Sequence, residues 1–189
     1  MVKAISPRCG NIIGMEASKP PSEIESSLAR FRSDHSDASR AAFIMMKFGN
    51  TDARRKIVNV IKDVLWDAGI IGLRADDRTY HDDLFSNVLT YIYGCGIGIA
   101  VFERTEAEEF NPNVSLELGY MLALGKPVCL LKDDSLRALP TDLAGKLYIN
   151  LSLLAPRITI ARELDRWLAD KGLKVDLRFD QWRGPRPHK

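Results

Sequence analysis

The sequence predicts an α/β fold: a doubly wound, flavodoxin-like, mainly parallel sheet of five strands with helices on both faces. Two observations lead there. From residue 41 onward, short runs that are apolar throughout alternate with amphipathic helical stretches, which is how strands buried on both faces and joined by crossover helices read. The apolar runs number five, which favours the flavodoxin-like arrangement over a six-stranded dinucleotide fold. In either arrangement ligands bind beyond the carboxyl ends of the strands.

The first run, AAFIMMKFG, is a buried strand with Phe43 and Met45 in the core. DARRKIVNVIKDVLWDAG follows as a helix whose apolar face is Ile57, Val60, Ile61, Val64 and Leu65, and Gly69 ends it. IIGLR is the second strand. HDDLFSNVLTYIYG reads as the next helix, capped by Asp82 or Thr79, and GIGIAVFE as the third strand. NPNVSLELGYMLALG is a helix and KPVCLLKD the fourth strand. Beyond the loop DDSLRALPTDLAG, KLYINLS is the fifth strand and TIARELDRWLADKG the last helix. Residues 1–40 read poorly as a core: only SEIESSLARFRS is periodic, with Ser22 after Pro21 as an N-cap and Ile24, Leu28 and Phe31 at helical spacing. The expected organisation is an N-terminal arm or short helix plus linker over 1–40, the α/β domain over 41–173, and a basic tail over 174–189.

Composition narrows the function classes. The 189 residues are 46% apolar and 28% charged, the make-up of one globular domain. No run approaches the roughly 18 apolar residues that span a bilayer, and MVKAISPRCG lacks a secretory apolar core, so a cytoplasmic protein is expected. Cys9, Cys95 and Cys129 are odd in number and widely spaced, which supports neither a disulfide framework nor a metal site. The net charge of +2 is uneven: +1 in residues 1–40 and +3 in 173–189 leave the body at −2. A mildly acidic body argues against nucleic acid as a partner, and the tail RFDQWRGPRPHK reads as a solvated terminus.

Standard phosphate-binding and nucleophile motifs are missing. No GxGxxG opens a helix after the first strand, and neither GxxxxGK[ST] nor GxSxG occurs. GCGIG at 94–98 precedes a strand, so it is the wrong context for a phosphate loop. The informative segment is NPNVSLELGYMLALGKPV, residues 111–128. Asn111 is a natural N-cap and Pro112 suits the first helical position, so this helix opens at the ligand-binding edge of the sheet. Val114, Leu118, Met121 and Leu122 point toward the sheet, while Asn113 and Glu117, four apart, share another face. Glu117 is an acid between two leucines, followed at Gly119 by a residue whose missing side chain leaves room for an approach. A surface glutamate favoured by the helix dipole is the plain alternative.

NPNV-SLELGYMLALGKPV resembles the signature helix of bacterial TIR-like (toll/interleukin-receptor-like) domains and of the nucleoside 2-deoxyribosyltransferases. The resemblance covers roughly residues 41–152 and is strongest over 111–131. It implies a flavodoxin-like fold, cleavage of an N-glycosidic bond to ribose, and Glu117 as the catalytic acid. The TIR-like form implies NAD as substrate, with no separate cofactor, homo-oligomers on activation, and a role in bacterial defence. The transferase pattern expects an aspartate near the third strand, and YGCGIGIAVFE has none. That difference matters because nicotinamide leaves NAD as a neutral molecule, whereas a neutral nucleoside base benefits from protonation by a second acid.

Further candidates for substrate binding lie past the strand ends. RADDRTYHDD places Asp76, Asp77, Arg78, His81 and Asp83 after the second strand, where Arg78 suits a phosphate and any of the acids a leaving base. In TIR-like domains this loop also controls access and self-assembly. Lys47, Phe48, Gly49 and Asn50 follow the first strand, with Phe48 placed to stack on a base. Glu103 and Arg104 end the third strand, and Asn113 and Tyr120 share the signature helix with Glu117.

Overall fold

A computed structural model describes residues 19–49, 51–104, 111–137, 139, 143 and 145–174. Asn50, the acidic loop at 106–110 and nearly all of the basic tail lie outside these residues. Five strands, β1 (Ala41–Met45), β2 (Ile71–Leu73), β3 (Ile97–Phe102), β4 (Val128–Asp133) and β5 (Ile149–Leu151), form one sheet. Its order is β2-β1-β3-β4-β5 with every pair parallel, the flavodoxin-like arrangement. Five helices accompany it: α1 (Glu25–Asp34), α2 (Asp52–Asp67), α3 (Leu84–Gly94), α4 (Pro112–Ala123) and α5 (Pro156–Asp170).

β1 and β3 are apolar throughout because both faces are covered. Phe43, Met45, Ala100, Phe102 and Leu130 pack into one core with α1, α3 and α4. Their neighbours Ala42, Ile44, Ile99, Val101 and Leu131 pack into the other with α2 and α5. The period-two alternation thus sorts residues between two cores, not between core and water. On α2 the face Ile57, Val60, Ile61, Val64 and Leu65 is buried as expected, and Thr51 caps the helix by accepting from the Arg54 N–H.

Several expectations need correction. Residues 24–31 do join the core: Ile24 and Phe31 are fully buried and belong to the same cluster as α3 and α4. The reason is Gly94, at the end of α3. A Cβ there would lie 2.5 Å from the Phe31 ring, so the glycine lets α1 settle onto α3. The same segment explains GCGIG, since Gly96 N–H donates to Ala38 O at 2.7 Å and a Cβ on Gly98 would strike Met45 and Val128. Ser22 makes no cap; Pro21 leads into a 3-10 turn, Ser22–Ile24, from which α1 continues. The cap of α3 is Asp83, whose Oδ1 accepts from both the N–H and the hydroxyl of Ser86, in place of Asp82 or Thr79. On α4, Leu122 is half-buried while Val114, Leu118 and Met121 are fully enclosed.

Candidate functional site

Connections leave β1 and β3 toward opposite faces: α2 follows β1 on one side, while α4 follows β3 on the other. That reversal makes a crevice between the carboxyl ends of β1 and β3, where open α/β sheets hold ligands. α4 opens at this edge with Asn111 as its cap, the side chain accepting from the Asn113 N–H at 3.0 Å. Pro112 sits in its first turn, where a missing N–H costs nothing.

With Val114, Leu118 and Met121 turned to the sheet, the 100° helical step places Asn113, Glu117 and Tyr120 along one flank. That flank faces α3, because the Tyr120 ring meets Phe85 edge-on at 6.1 Å between centroids. Glu117, half-buried, therefore lies on the side of α4 that borders the slot between α3 and α4. Among the described residues nothing donates a hydrogen bond to its carboxylate and no cation pairs with it. Burial alone pushes its carboxyl up to about 7. A carboxyl shifted this way, partly withdrawn from water and without a counter-charge among the described residues, is suited to meet a positive charge arriving with a ligand. Gly119 is turned the other way, some 200° around the helix from Glu117. A Cβ there would meet nothing within 4 Å, so the space it leaves opens outward and not into the slot.

Lys47, Phe48 and Gly49 leave β1 at the crevice; Phe48 is 41% exposed and Gly49 has φ of +127°. Glu103, at the end of β3, is 5% exposed and accepts from Arg54 Nε at 2.5 Å. Its carboxylate is thus committed to a buried ion pair that ties the end of β3 to the first turn of α2.

The loop after β2 lies at the outer edge of the sheet, and most of its charges are paired. Asp76 meets Arg74 at 2.7 Å. Asp77 accepts from Lys62 at 2.8 Å and from the Arg74 N–H at 2.9 Å. Arg78 pairs with Asp34 of α1 at 2.7 Å and lies over the Tyr80 ring, whose hydroxyl donates to the same Asp34. His81 Nδ1 accepts from the Asp83 N–H, and Asp83 caps α3. The structure thus sets Asn113, Glu117 and Tyr120 along the flank of α4 that faces α3, puts Lys47, Phe48, Gly49 and Glu103 along the adjoining crevice, and holds Asp76 on Arg74 of its own loop, Asp77 on α2 and Arg78 on α1.

Two contributors were not read from the sequence. Phe85, 43% exposed, meets Tyr120 from the α3 side of the slot; an apolar Leu84-Phe85 pair directly after a helix cap was its signal. Asp133, fully buried at the end of β4, accepts from the backbone N–H of Arg104 at 3.1 Å and of Ser135 at 3.0 Å. It thereby anchors the segment that runs from β3 toward α4; the lone acid closing VCLLKD was the available hint. Among the described residues no cluster of three or more His, Cys, Asp or Glu side chains could hold a metal, and no helix is long and apolar enough to cross a membrane.

No protein-family profile matches the chain, and no curated protein matches it. Among solved structures it is similar to a 2-deoxyribosyltransferase from Leishmania mexicana, with 20% identity and a TM-score of 0.43 over 50% of this chain and 65% of the other. It is also similar to a 2-deoxyribosyltransferase from Bacillus psychrosaccharolyticus, with 16% identity and a TM-score of 0.47 over 71% of this chain and 96% of that one. A third likeness is to rubredoxin oxygen:oxidoreductase from Desulfovibrio gigas, with 17% identity and a TM-score of 0.39 over 68% of this chain and 36% of that one. Likenesses this distant decide nothing about chemistry.

Proposed function

We propose that this chain cleaves the N-glycosidic bond of a nucleoside or nucleotide, with Glu117 as the catalytic carboxylate. The observation that carries the reading is Glu117 itself: an unpaired, half-buried carboxyl whose pKa burial raises, on the flank of α4 where the Tyr120 ring meets Phe85, at the carboxyl edge of a parallel sheet. When the bond between C1 of the sugar and the base nitrogen breaks, its electron pair leaves with the base and C1 becomes oxocarbenium-like. An ionised Glu117 stabilises that centre, or forms a covalent bond to it, before water or an acceptor base adds at C1. Phe85, Phe48 and Tyr120 offer ring faces to the base or sugar, and Asn113 offers an amide to a sugar hydroxyl.

A second, narrower reading takes NAD as the substrate, and one observation favours it. The acids after β2 are engaged: Asp76 and Asp77 with cations, Asp83 with the first turn of α3. A leaving group that departs without being protonated asks nothing of them, and nicotinamide is one. Hydrolysis or transfer of a neutral base would need one of these acids to change partners, or the exposed Asp82 of the same loop to act in their place. Incubation of the protein with NAD, deoxynucleosides and nucleoside monophosphates, followed by chromatography for free base, separates the readings. Free base from any of the three, lost in Glu117→Gln, supports the proposal. Release that survives in the Gln variant, or none from any of the three, removes it.

A further inference from the structure

The two strands at one side of the sheet are unequal. β4 has six residues and β5 three, and the register pairs only Leu131, Lys132 and Asp133 of β4 with β5. Val128, Cys129 and Leu130 therefore have β3 on one side and no strand on the other. Residues 146–148, which lead into β5, run exposed past this gap without entering the sheet. The end of α4 covers one face of the gap and the last turns of α5 the other, leaving a groove of about 580 Å³. It lies at the amino ends of the strands, on the opposite edge of the sheet from Glu117.

The lining has a consistent chemistry. Val128 and Leu130 line its apolar part, and the Tyr148 and Trp167 side chains add aromatic surface. Five charged residues complete the lining besides Lys126: Lys146, Arg166 and Lys171 against Glu163 and Asp170. Arg166 bonds Glu163 at 3.4 Å, and the Lys126 ammonium is taken up by the carbonyls of Ile92, Tyr93 and Cys95 at the end of α3. The ammonium groups of Lys146 and Lys171 remain without a hydrogen-bond or ion-pair partner among the described residues. A pocket of this size with aromatic surface, an apolar interior and surplus cations selects a flat ring bearing negative charge.

We propose that this groove binds a planar aromatic anion of about mononucleotide size. The proposal does not rest on the role of Glu117. The ring lies against Trp167, beside Tyr148, whose own ring is covered by the Lys132 ammonium at 5.6 Å, and the anion reaches Lys146 and Lys171.

The test uses the full chain carrying Trp66→Phe and Trp182→Phe, which leaves Trp167 as the sole tryptophan of three. AMP is the probe, with adenosine and inorganic phosphate as partial probes. AMP is expected to change Trp167 emission saturably. Adenosine should bind roughly tenfold more weakly for want of the anion, and the Lys146→Ala/Lys171→Ala pair should weaken AMP by a similar factor. Glu117→Gln should leave the titration unaltered. Both lysines are exposed, so their removal leaves the fold in place, which circular dichroism checks. No saturable response to AMP, a response indifferent to the two lysines, or one abolished by Glu117→Gln would each overturn the assignment.

Discussion

A carboxyl held near pH 7 by burial has opposite consequences for turnover and for stability. Turnover needs Glu117 ionised, so its rate should fall along an acidic limb centred near pH 7, well above an ordinary glutamate. A single-turnover pH profile checks this. Stability runs the other way. The folded pKa lies above the unfolded 4.5, so the native state holds the proton more tightly. Its stabilising contribution is complete below pH 4.5 and is lost as pH rises through about 7. Glu117→Gln should therefore lower the glycosidase rate by at least about two orders of magnitude. Above pH 7 it should also make the fold more stable than wild type, by roughly 3 kcal/mol at most, with the gap closing toward pH 4.5. Urea titrations of both proteins at two pH values report it. A variant equal in stability at every pH would show that the carboxyl is solvated, and the slot would lose its basis.

At the scale of elements, the orientation of α4 decides what Glu117 faces. Leu118 is 1% exposed on the sheet side, so Leu118→Ala should lower stability by about 2 to 5 kcal/mol through lost burial and a residual cavity. An unmoved unfolding midpoint would mean that the helix is rotated and that Glu117 lies elsewhere. The seat of α1 on α3 gives a second test. Gly94→Ala puts a methyl 2.5 Å from the Phe31 ring and should destabilise by about 1 to 3 kcal/mol, with part of the loss recovered by Phe31→Leu. Thermal melts of the single and double variants measure the coupling. These elements were largely readable from the chain. The cap Asn111 and the apolar faces of α2 and α4 follow from local spacing, which acts within a few residues. Elements built by distant partners were not: α1 looked isolated because its burial depends on a glycine some sixty residues away.

At the scale of the whole molecule, the loop after β2 is held between α1 and α2, away from the sheet centre. If Glu117 acts alone on a leaving group that needs no proton, Asp76→Asn, Asp77→Asn and Asp83→Asn should each change KM or stability more than the chemical step. Asp83→Asn should be the mildest, because asparagine caps a helix nearly as well. Single-turnover rates on NAD and on a deoxynucleoside, taken for each variant, decide it. Loss of turnover in any one of them comparable to Glu117→Gln would identify a required acid and favour the neutral-base reaction.

Local rules in the chain specify the class of fold and the helix that carries Glu117: apolar runs specify buried strands, periodicity specifies helix faces, and a cap fixes where α4 begins. Strand order, and with it the crevice between β1 and β3, came from the tertiary structure, because parallel pairing joins residues far apart in the chain and leaves no local trace. The fates of the charged candidates were decided there too. Asp76, Asp77, Arg78 and Glu103 read as free groups in one dimension, yet each has a counter-charge in space, from Arg74, Lys62, Asp34 and Arg54 in turn. Glu117 reads the same way and has none among the described residues. That difference is set by which side chains the packed helices bring near, and only three dimensions record it.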